Sequence, residues 1–241
     1  MSTIKLARFL DFLKGSLLHP QWLSDRYHLL SRRKLRAIKK GLVFDVGSGN
    51  SDLRQLLDPS ISLVRIDYPS TNALYNKKPD IYADAKCLPV SDQCADGVLL
   101  LEVIEHIFDY KVVFRECHRI LSSEGILCIS VPFIYPIHDS PYDFHRFTRY
   151  GLENELHIAG FDVMEVLPHG NSIIVAMQMF NLSLLEIAKK CIEKNLFVGV
   201  CVSSMVYIVC VLNNVLSFPF LSLKFNNSAV FGYFIIATPA G

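Results

Sequence analysis

Leu42-Val43-Phe44-Asp45-Val46-Gly47-Ser48-Gly49-Asn50 sets a short apolar run directly against a turn with two glycines. Glycine lets the backbone turn sharply and come close to a ligand, and a helix that starts after such a turn offers free N–H groups. Working outward, the same alternation of apolar strand and amphipathic helix repeats. Ser62–Ile66 reads as a second strand closed by Asp67, and Ala95–Leu101 as a third. A helix is expected from about Asp109 to Leu121, and Ser122–Gly125 turns the chain into Ile126–Val131, a strand that Pro132 stops. A helix from about Thr148 to Ala159 ends at Gly160, and Phe161–Leu167 and Val230–Ala237 supply further strands. Asp52–Leu57 reads as a short helix after the glycine turn. Apolar strands alternating with helices point to an α/β fold, a doubly wound and mostly parallel sheet covered on both faces. In such a sheet the turn after the first strand lies in the usual ligand crevice.

The composition excludes several classes. The 241 residues suffice for one large domain, and a net charge of +1 provides no global field for nucleic acid. The seven cysteines form no C-x-x-C pair or framework spacing, which fits reduced thiols in a cytoplasmic setting and gives no reason to expect a metal. Residues 1–40 read as a basic helical segment. Arg32, Arg33, Lys34, Arg36, Lys39 and Lys40 crowd together, with Leu29, Leu30, Leu35 and Ile38 at helical spacing. The stretch is either a solvated face or a surface for anionic lipid.

The glycine turn is shared by dinucleotide-binding domains, and the residue that would be their third glycine separates the two readings. It is Asp52, whose charge disfavours a diphosphate and whose side chain disfavours close helix–strand packing. S-Adenosylmethionine carries a sulfonium, an ammonium and one carboxylate, so Asp45 and Asp52 are tolerable beside it. Asp67 stands where a carboxylate can accept from vicinal ribose hydroxyls. Asp84, in Ala83-Asp84-Ala85, is either an acceptor for an adenine amino group or a loop aspartate.

Residues 42–167 resemble the class I S-adenosylmethionine-dependent methyltransferases of the type 11, ubiquinone-biosynthesis-like group. The matching segments are Val43–Asn50, Ile66-Asp67, Ala83-Asp84-Ala85, Leu101-Glu-Val-Ile-Glu-His106, Arg119–Ile126, Ser130–Phe133 and Gly160-Phe161. The resemblance implies a Rossmann-like seven-stranded sheet that binds S-adenosylmethionine. In it Gly47, Ser48 and Gly49 line the methionine portion, Asp45 helps hold the ammonium, and Asp67 binds the ribose. Asp84 and Ala85 flank adenine, while Leu101 and Glu102 border the donor methyl. Ser51 replaces the family's usual third glycine.

A catalytic loop is expected over Phe133–Thr148, where two histidines, two aspartates, an arginine and five aromatics crowd sixteen residues. His138, Asp143 and His145 are candidate bases for a hydroxyl acceptor, with Tyr142 as an orienting group and Arg146 as an anchor. The competing reading has Asp143, His145 and Arg146 pairing to hold the loop closed. His106 either caps a helix or joins the site.

Residues 41–169 thus form the expected core, and 229–241 its final strand. About sixty residues separate Leu167 from Val230, and the apolar helical insertion over 170–228 reads as a lid, a membrane hairpin or a dimer surface, with a polar break at Glu186–Lys194. The expected activity is methyl transfer to the oxygen or nitrogen of a small-molecule, glycan or lipid-linked acceptor, in the cytoplasm or at the cytoplasmic face of a membrane. A non-catalytic membrane-associated member of the fold and an NAD-dependent oxidoreductase are the alternatives.

Overall fold

A computed structural model of the protein describes residues 13–50, 53–71, 78–225 and 229–241. Ser51 and Asp52, which carried part of the cofactor argument, lie outside the described residues, as do residues 1–12 of the N-terminal segment. The chain divides into two compact units. One is Ser31–Pro168 with Gly232–Gly241, and the other is Met1–Leu30 with His169–Phe231.

The first unit holds the sheet. Its strands are β1 (Gly41–Val46), β2 (Ile61–Asp67), β3 (Ile81–Tyr82), β4 (Ala95–Leu101), β5 (Leu121–Pro132), β6 (Phe161–Pro168) and β7 (Gly232–Pro239). They lie in the order β3-β2-β1-β4-β5-β7-β6. Pairing is parallel from β3 to β5, and β7 runs antiparallel between β5 and β6. The chain therefore winds outward from β1 to β3 and returns to place β4 on the other side of β1. That reversal opens a crevice at the carboxyl ends of β1 and β4, where ligands of open α/β sheets bind.

Central strands are apolar because both faces are covered: Val98, Leu99 and Leu100 are buried in succession, as are Leu127, Cys128 and Ile129. Leu35 and Ile38 of the basic stretch pack into a core with Val43, Leu99, Cys128 and Phe234, while Arg36, Lys39 and Lys40 face solvent. This is the partition an amphipathic segment makes. On the helix Tyr110–Ile120, Val113, Phe114, Cys117 and Ile120 form the buried stripe. The helix Arg149–Ile158 is capped by Thr148, whose Oγ1 accepts from Gly151 N at 3.2 Å.

Three expectations shift. Residues 53–57, the described part of the short helix expected after the glycine turn, form turns. Ser122–Gly125 is a bulge inside β5 rather than a turn before it, since Leu121 pairs with Ala95 and Ile126 with Gly97. β3 was not anticipated, because two residues carry no readable periodicity.

The second unit is helical. Its main elements are α1 (Trp22–Arg32, which crosses the unit boundary) and two helices between β6 and β7, Ser172–Lys194 and Leu196–Leu216. We number the helices in chain order, so Tyr110–Ile120 is α2, Arg149–Ile158 α3, Ser172–Lys194 α4 and Leu196–Leu216 α5. The polar stretch Glu186–Lys194 between the two apolar runs forms the last turns of α4. Glutamate and lysine are good helix formers, Glu186 and Lys190 pair one turn apart at 3.0 Å, and α4 runs on until Asn195 turns the chain. Asn195 Oδ1 then caps α5 by accepting from Val198 N at 3.1 Å.

The two helices form an antiparallel hairpin with a polar seam. Gln178, Asn181 and Asn214 are fully buried, and each side-chain amide donates inside the unit. Asn181 Nδ2 reaches Pro20 O and Asn214 Oδ1, both at 3.1 Å, and Asn214 Nδ2 reaches Leu17 O and His19 O at 2.9 Å. The paired amides of Asn181 and Asn214 specify one register, because a slip would leave them unpaired. Near the turn the backbones approach closely at Gly199, where a Cβ would lie 2.4 Å from Ile192 Cα. Backbone cannot yield as a side chain can, so Gly199→Val is expected to destabilise this hairpin by about 1–3 kcal/mol. A urea unfolding midpoint unchanged from the parent would contradict that packing.

Candidate active site

The glycine turn is tied to the end of β2. Gly47 N and Ser48 N both donate to Ile66 O, at 2.8 and 3.2 Å, and Gly49 N donates to Asp67 Oδ2 at 2.6 Å. Asp67 Oδ1 accepts from Tyr68 N at 2.7 Å, and its carbonyl accepts from Ala83 N at 3.0 Å. Both glycines have positive φ, 75° at Gly47 and 51° at Gly49. A Cβ on Gly47 would lie 2.5 Å from Val103 Cγ2, so the turn also abuts the residue two positions past β4. Asp45, Ser48 and Asp67 are all buried here.

This geometry decides what the turn can bind. Three successive amides already have acceptors within the protein, so they form no anion cradle of the kind a diphosphate needs. The crevice instead presents carboxylates, and each Asp67 oxygen keeps lone-pair capacity for a further donor. Hydroxyl and ammonium groups suit it, and phosphates do not. Asp84 sits in a tight turn, its Oδ1 accepting from Lys86 N at 2.9 Å and its Oδ2 lying 3.7 Å from Lys86 Nζ, with Ala85 half-buried beside it.

At the end of β4 the backbone is strained. Glu102, just past Leu101, has φ 58° and donates its N–H to Ser130 O at 3.0 Å. A non-glycine residue in that region is held there by its surroundings, which is common at functional sites. A single 3-10 turn, Ile104–His106, follows. Glu105 within it is 0% exposed, and neither carboxylate oxygen has a hydrogen-bond partner. Burial, and then the nearby Glu102 charge, push the Glu105 carboxyl well above the usual carboxylate range.

The loop after β5 folds onto this turn. Glu105 O accepts from Phe144 N at 2.8 Å and from His145 N at 3.3 Å. Asp143 and Arg146 form a two-pronged ion pair, with Arg146 Nη2 2.6 Å from Asp143 Oδ2, and that oxygen also accepts from His138 N at 3.0 Å. The Arg146 guanidinium holds the Asp143 carboxyl at about 2, so it is a poor proton acceptor at neutral pH. Asp143 as a base is therefore replaced by Asp143 as the strut of the loop. Arg146 is spent on the same pair.

Of the remaining candidates, His145 directs Nε2 at Phe108 O, 3.0 Å away, with its ring packed near Phe108, Tyr110 and Phe147. Tyr142 is 63% exposed and takes part through its carbonyl, which lies 3.1 Å from His106 Nδ1. His138 is brought to the cluster. Its Nε2 lies 4.0 Å from Glu105 Oε1, and its ring meets that of His106 edge-on with centroids 4.9 Å apart. Glu105 was not singled out from the sequence, although Glu102-x-x-Glu105-His106 directly after an apolar strand was a usable signal. A shallow groove lined by Arg149, Glu153 and His157 runs along β6 and contains none of the sequence-selected residues.

Comparison with known proteins agrees with this arrangement. The model of a methyltransferase domain family matches residues 44–129. A probable S-adenosylmethionine-dependent methyltransferase of Mycobacterium tuberculosis is 32% identical over 75 residues, 29% of this chain and 27% of that protein. One of Mycolicibacterium smegmatis is 28% identical over 138 residues, 49% of this chain and 51% of its own length. The chain thus spans about a quarter to a half of these relatives. Among solved structures, Haemonchus contortus phosphoethanolamine N-methyltransferase 2 in complex with S-adenosyl-L-methionine superposes with a TM-score of 0.51 at 16% identity, covering 97% of this chain and 60% of that one. The [4+2]-cyclase SpnF superposes with 0.52 at 18% identity, covering 87% and 81%. At such identities the likeness speaks for the fold, and fold alone does not name a chemistry. The glycine turn, the β2 aspartate and the β4 terminus all fall inside the matched residues 44–129, and over that segment the chain is similar to S-adenosylmethionine-dependent methyltransferases.

Proposed function

We propose that the protein binds S-adenosylmethionine across the carboxyl ends of β1, β2 and β4 and transfers its methyl group to a small-molecule, glycan or lipid-linked acceptor, at oxygen or nitrogen. One observation carries the reading. The amides of Gly47, Ser48 and Gly49 turn inward to Ile66 and Asp67, leaving a crevice of carboxylates suited to a cationic, hydroxyl-bearing ligand. Gly47, Ser48 and Gly49 would lie along its methionine portion with Asp45 near the ammonium. Asp67 would accept from the ribose hydroxyls, and Asp84 and Ala85 would flank the adenine. When bound, the cofactor supplies an electrophilic methyl on sulfur. Leu101 and Glu102 border that end of the crevice. The loop anchored by Asp143 and Arg146 orients the acceptor and limits water, and positioning of this kind supplies much of the rate of a displacement. His138 remains the side chain of the loop best placed to take a proton from a hydroxyl acceptor.

We further propose contact with the cytoplasmic face of a membrane through the helical unit. α4 and α5, 23 and 21 residues long, are apolar and long enough to cross a bilayer. α5 carries no charge and exposes Phe197 (79%), Met205 (69%), Ile208 and Leu212. Burying such side chains in the acyl boundary removes apolar surface from water. Flotation with anionic phospholipid vesicles is expected to carry the protein to the top of a sucrose gradient, and F197E/M205E to leave it at the bottom. A parent protein that stays at the bottom, whether as a monomer or as a dimer, counts against this.

Calorimetry with S-adenosylmethionine, S-adenosylhomocysteine and NADH in parallel tests the donor, and labelled-methyl incorporation into lipid and glycan extracts tests transfer. Binding of the first two and not the third is expected. Gly47→Ala places a methyl against Val103 at a positive φ, a backbone cost of about 1–3 kcal/mol, and should weaken S-adenosylmethionine affinity about tenfold or more. No affinity of the parent for either sulfur compound would overturn the function. Binding without methyl incorporation would favour a non-catalytic or differently reacting member of the fold.

A further inference from the structure

Glu105, His106 and His138 make a cluster that cofactor binding does not use. One ligand atom from each lies within 4.8 Å of the other two. His106 Nε2 is 3.6 Å and His138 Nε2 is 4.0 Å from Glu105 Oε1.

The far side of each imidazole is engaged. His106 Nδ1 lies 3.1 Å from the Tyr142 carbonyl. His138 Nδ1 lies 3.4 Å from both the Pro136 carbonyl and Asp143 Oδ2. These contacts hold each ring so that its Nε2 is turned toward the carboxyl group of Glu105, the orientation in which a second contact fixes a metal-binding imidazole. Independently of the histidines, Glu105 is fully buried and neither of its oxygens receives a hydrogen bond. An ionised carboxylate is stable in such a place only beside a cation.

We propose that Glu105, His106 and His138 bind a divalent first-row transition-metal ion at the mouth of the cofactor crevice. Nitrogen and oxygen ligands about 2.1 Å from a shared metal lie roughly 3–3.5 Å apart at tetrahedral or octahedral angles. The ligand atoms, 3.6 and 4.0 Å from Glu105 Oε1 and all within 4.8 Å of one another, would close onto an ion with side-chain shifts of about 1 Å or less. Two imidazoles and one carboxylate suit zinc, manganese, iron or cobalt, and are a poor cage for calcium or magnesium, which prefer oxygen. The tethers of the two rings are the carboxylate–histidine and carbonyl–histidine contacts that orient metal ligands elsewhere. No metal was expected from the sequence, because the ligands come from two separate segments and fit no spacing rule.

Three protein ligands would leave further coordination positions open, and Glu102, which the proposed function places at the donor-methyl end of the crevice, lies close enough for its charge to act on Glu105. Resting on the methyl-transfer reading, this points to a hydroxyl-bearing acceptor. Its oxygen would be held by the cation, which lowers the hydroxyl pKa. With the ion bound, His138 Nε2 would be a ligand in place of a proton acceptor, so the O–H proton would pass to solvent water, the oxygen would form the new C–O bond, and the S–C bond would break with its electron pair staying on sulfur.

The test uses tag-free, chelator-treated full-length protein titrated with Co2+, whose visible absorption reports nitrogen–oxygen coordination. One equivalent of Co2+ with visible bands, displaced by Zn2+ but not by Ca2+, is expected. H138Q should lose affinity at least tenfold while keeping the parent melting temperature. His106→Gln provides a second variant should the first fail to fold. A metal-free protein that binds S-adenosylmethionine yet takes up no Co2+, or uptake unchanged in both variants, would overturn the metal site alone. Uptake by a protein with no affinity for S-adenosylmethionine would uphold the site and remove the methyl-transfer reading from under the acceptor inference.

Discussion

The hydrogen bonds that run from the amides of Gly47, Ser48 and Gly49 to Ile66 O and the Asp67 carboxylate hold the glycine turn against the end of β2. Positive φ at both glycines aims the amides that way, and Val103 closes the other flank of Gly47. The sign of the site follows from this. A turn that spends its donors internally presents acceptors to the crevice, so it selects against phosphate and for ligands with hydroxyl or cationic groups. The chain reversal that puts β4 beside β1 then supplies Leu101 and Glu102 to the same opening.

A second set of backbone bonds places the loop. Glu105 O accepts from the Phe144 and His145 amides, and the Asp143–Arg146 pair collects the His138 amide as well. Arg146 thus acts on the site through geometry: it fixes a carboxylate that in turn fixes a histidine. A partly exposed ion pair adds little stability by itself. Its effect here is to remove conformational freedom from a segment crowded with reactive side chains.

Much of this was legible before any coordinates. The runs at 42–46, 95–101 and 126–131 are mostly apolar because those strands are covered on both faces, and burial of that kind leaves its mark along the whole run. The glycine turn and Asp67 were legible for a related reason, since few residues besides glycine tolerate such φ values. What was missed was local. Glu186–Lys194 interrupts the apolar pattern, and composition alone did not show that the helix runs through it, held by an ion pair one turn apart. Asp143 looked like a base because sequence shows residue type and not partner, and its partner Arg146 was read both ways. Glu105 was passed over although Glu102-x-x-Glu105-His106 marks the end of an apolar strand, because what sets it apart, a buried carboxyl with no hydrogen-bond partner, emerges only on folding.

The fold itself settles little about chemistry, since a [4+2]-cyclase shares it. Discrimination has to come from groups that the fold does not need. A hydrophobic side chain at position 105 would pack the 3-10 turn with no desolvation penalty, and the turn's bonds to Phe144 and His145 use only the backbone. Nothing in the packing therefore calls for a carboxylate at that point, or for two imidazoles beside it. On the metal-site proposal, a group that is unfavourable for folding and unnecessary for the loop finds its physical reason in the ion, close to the strained backbone of Glu102.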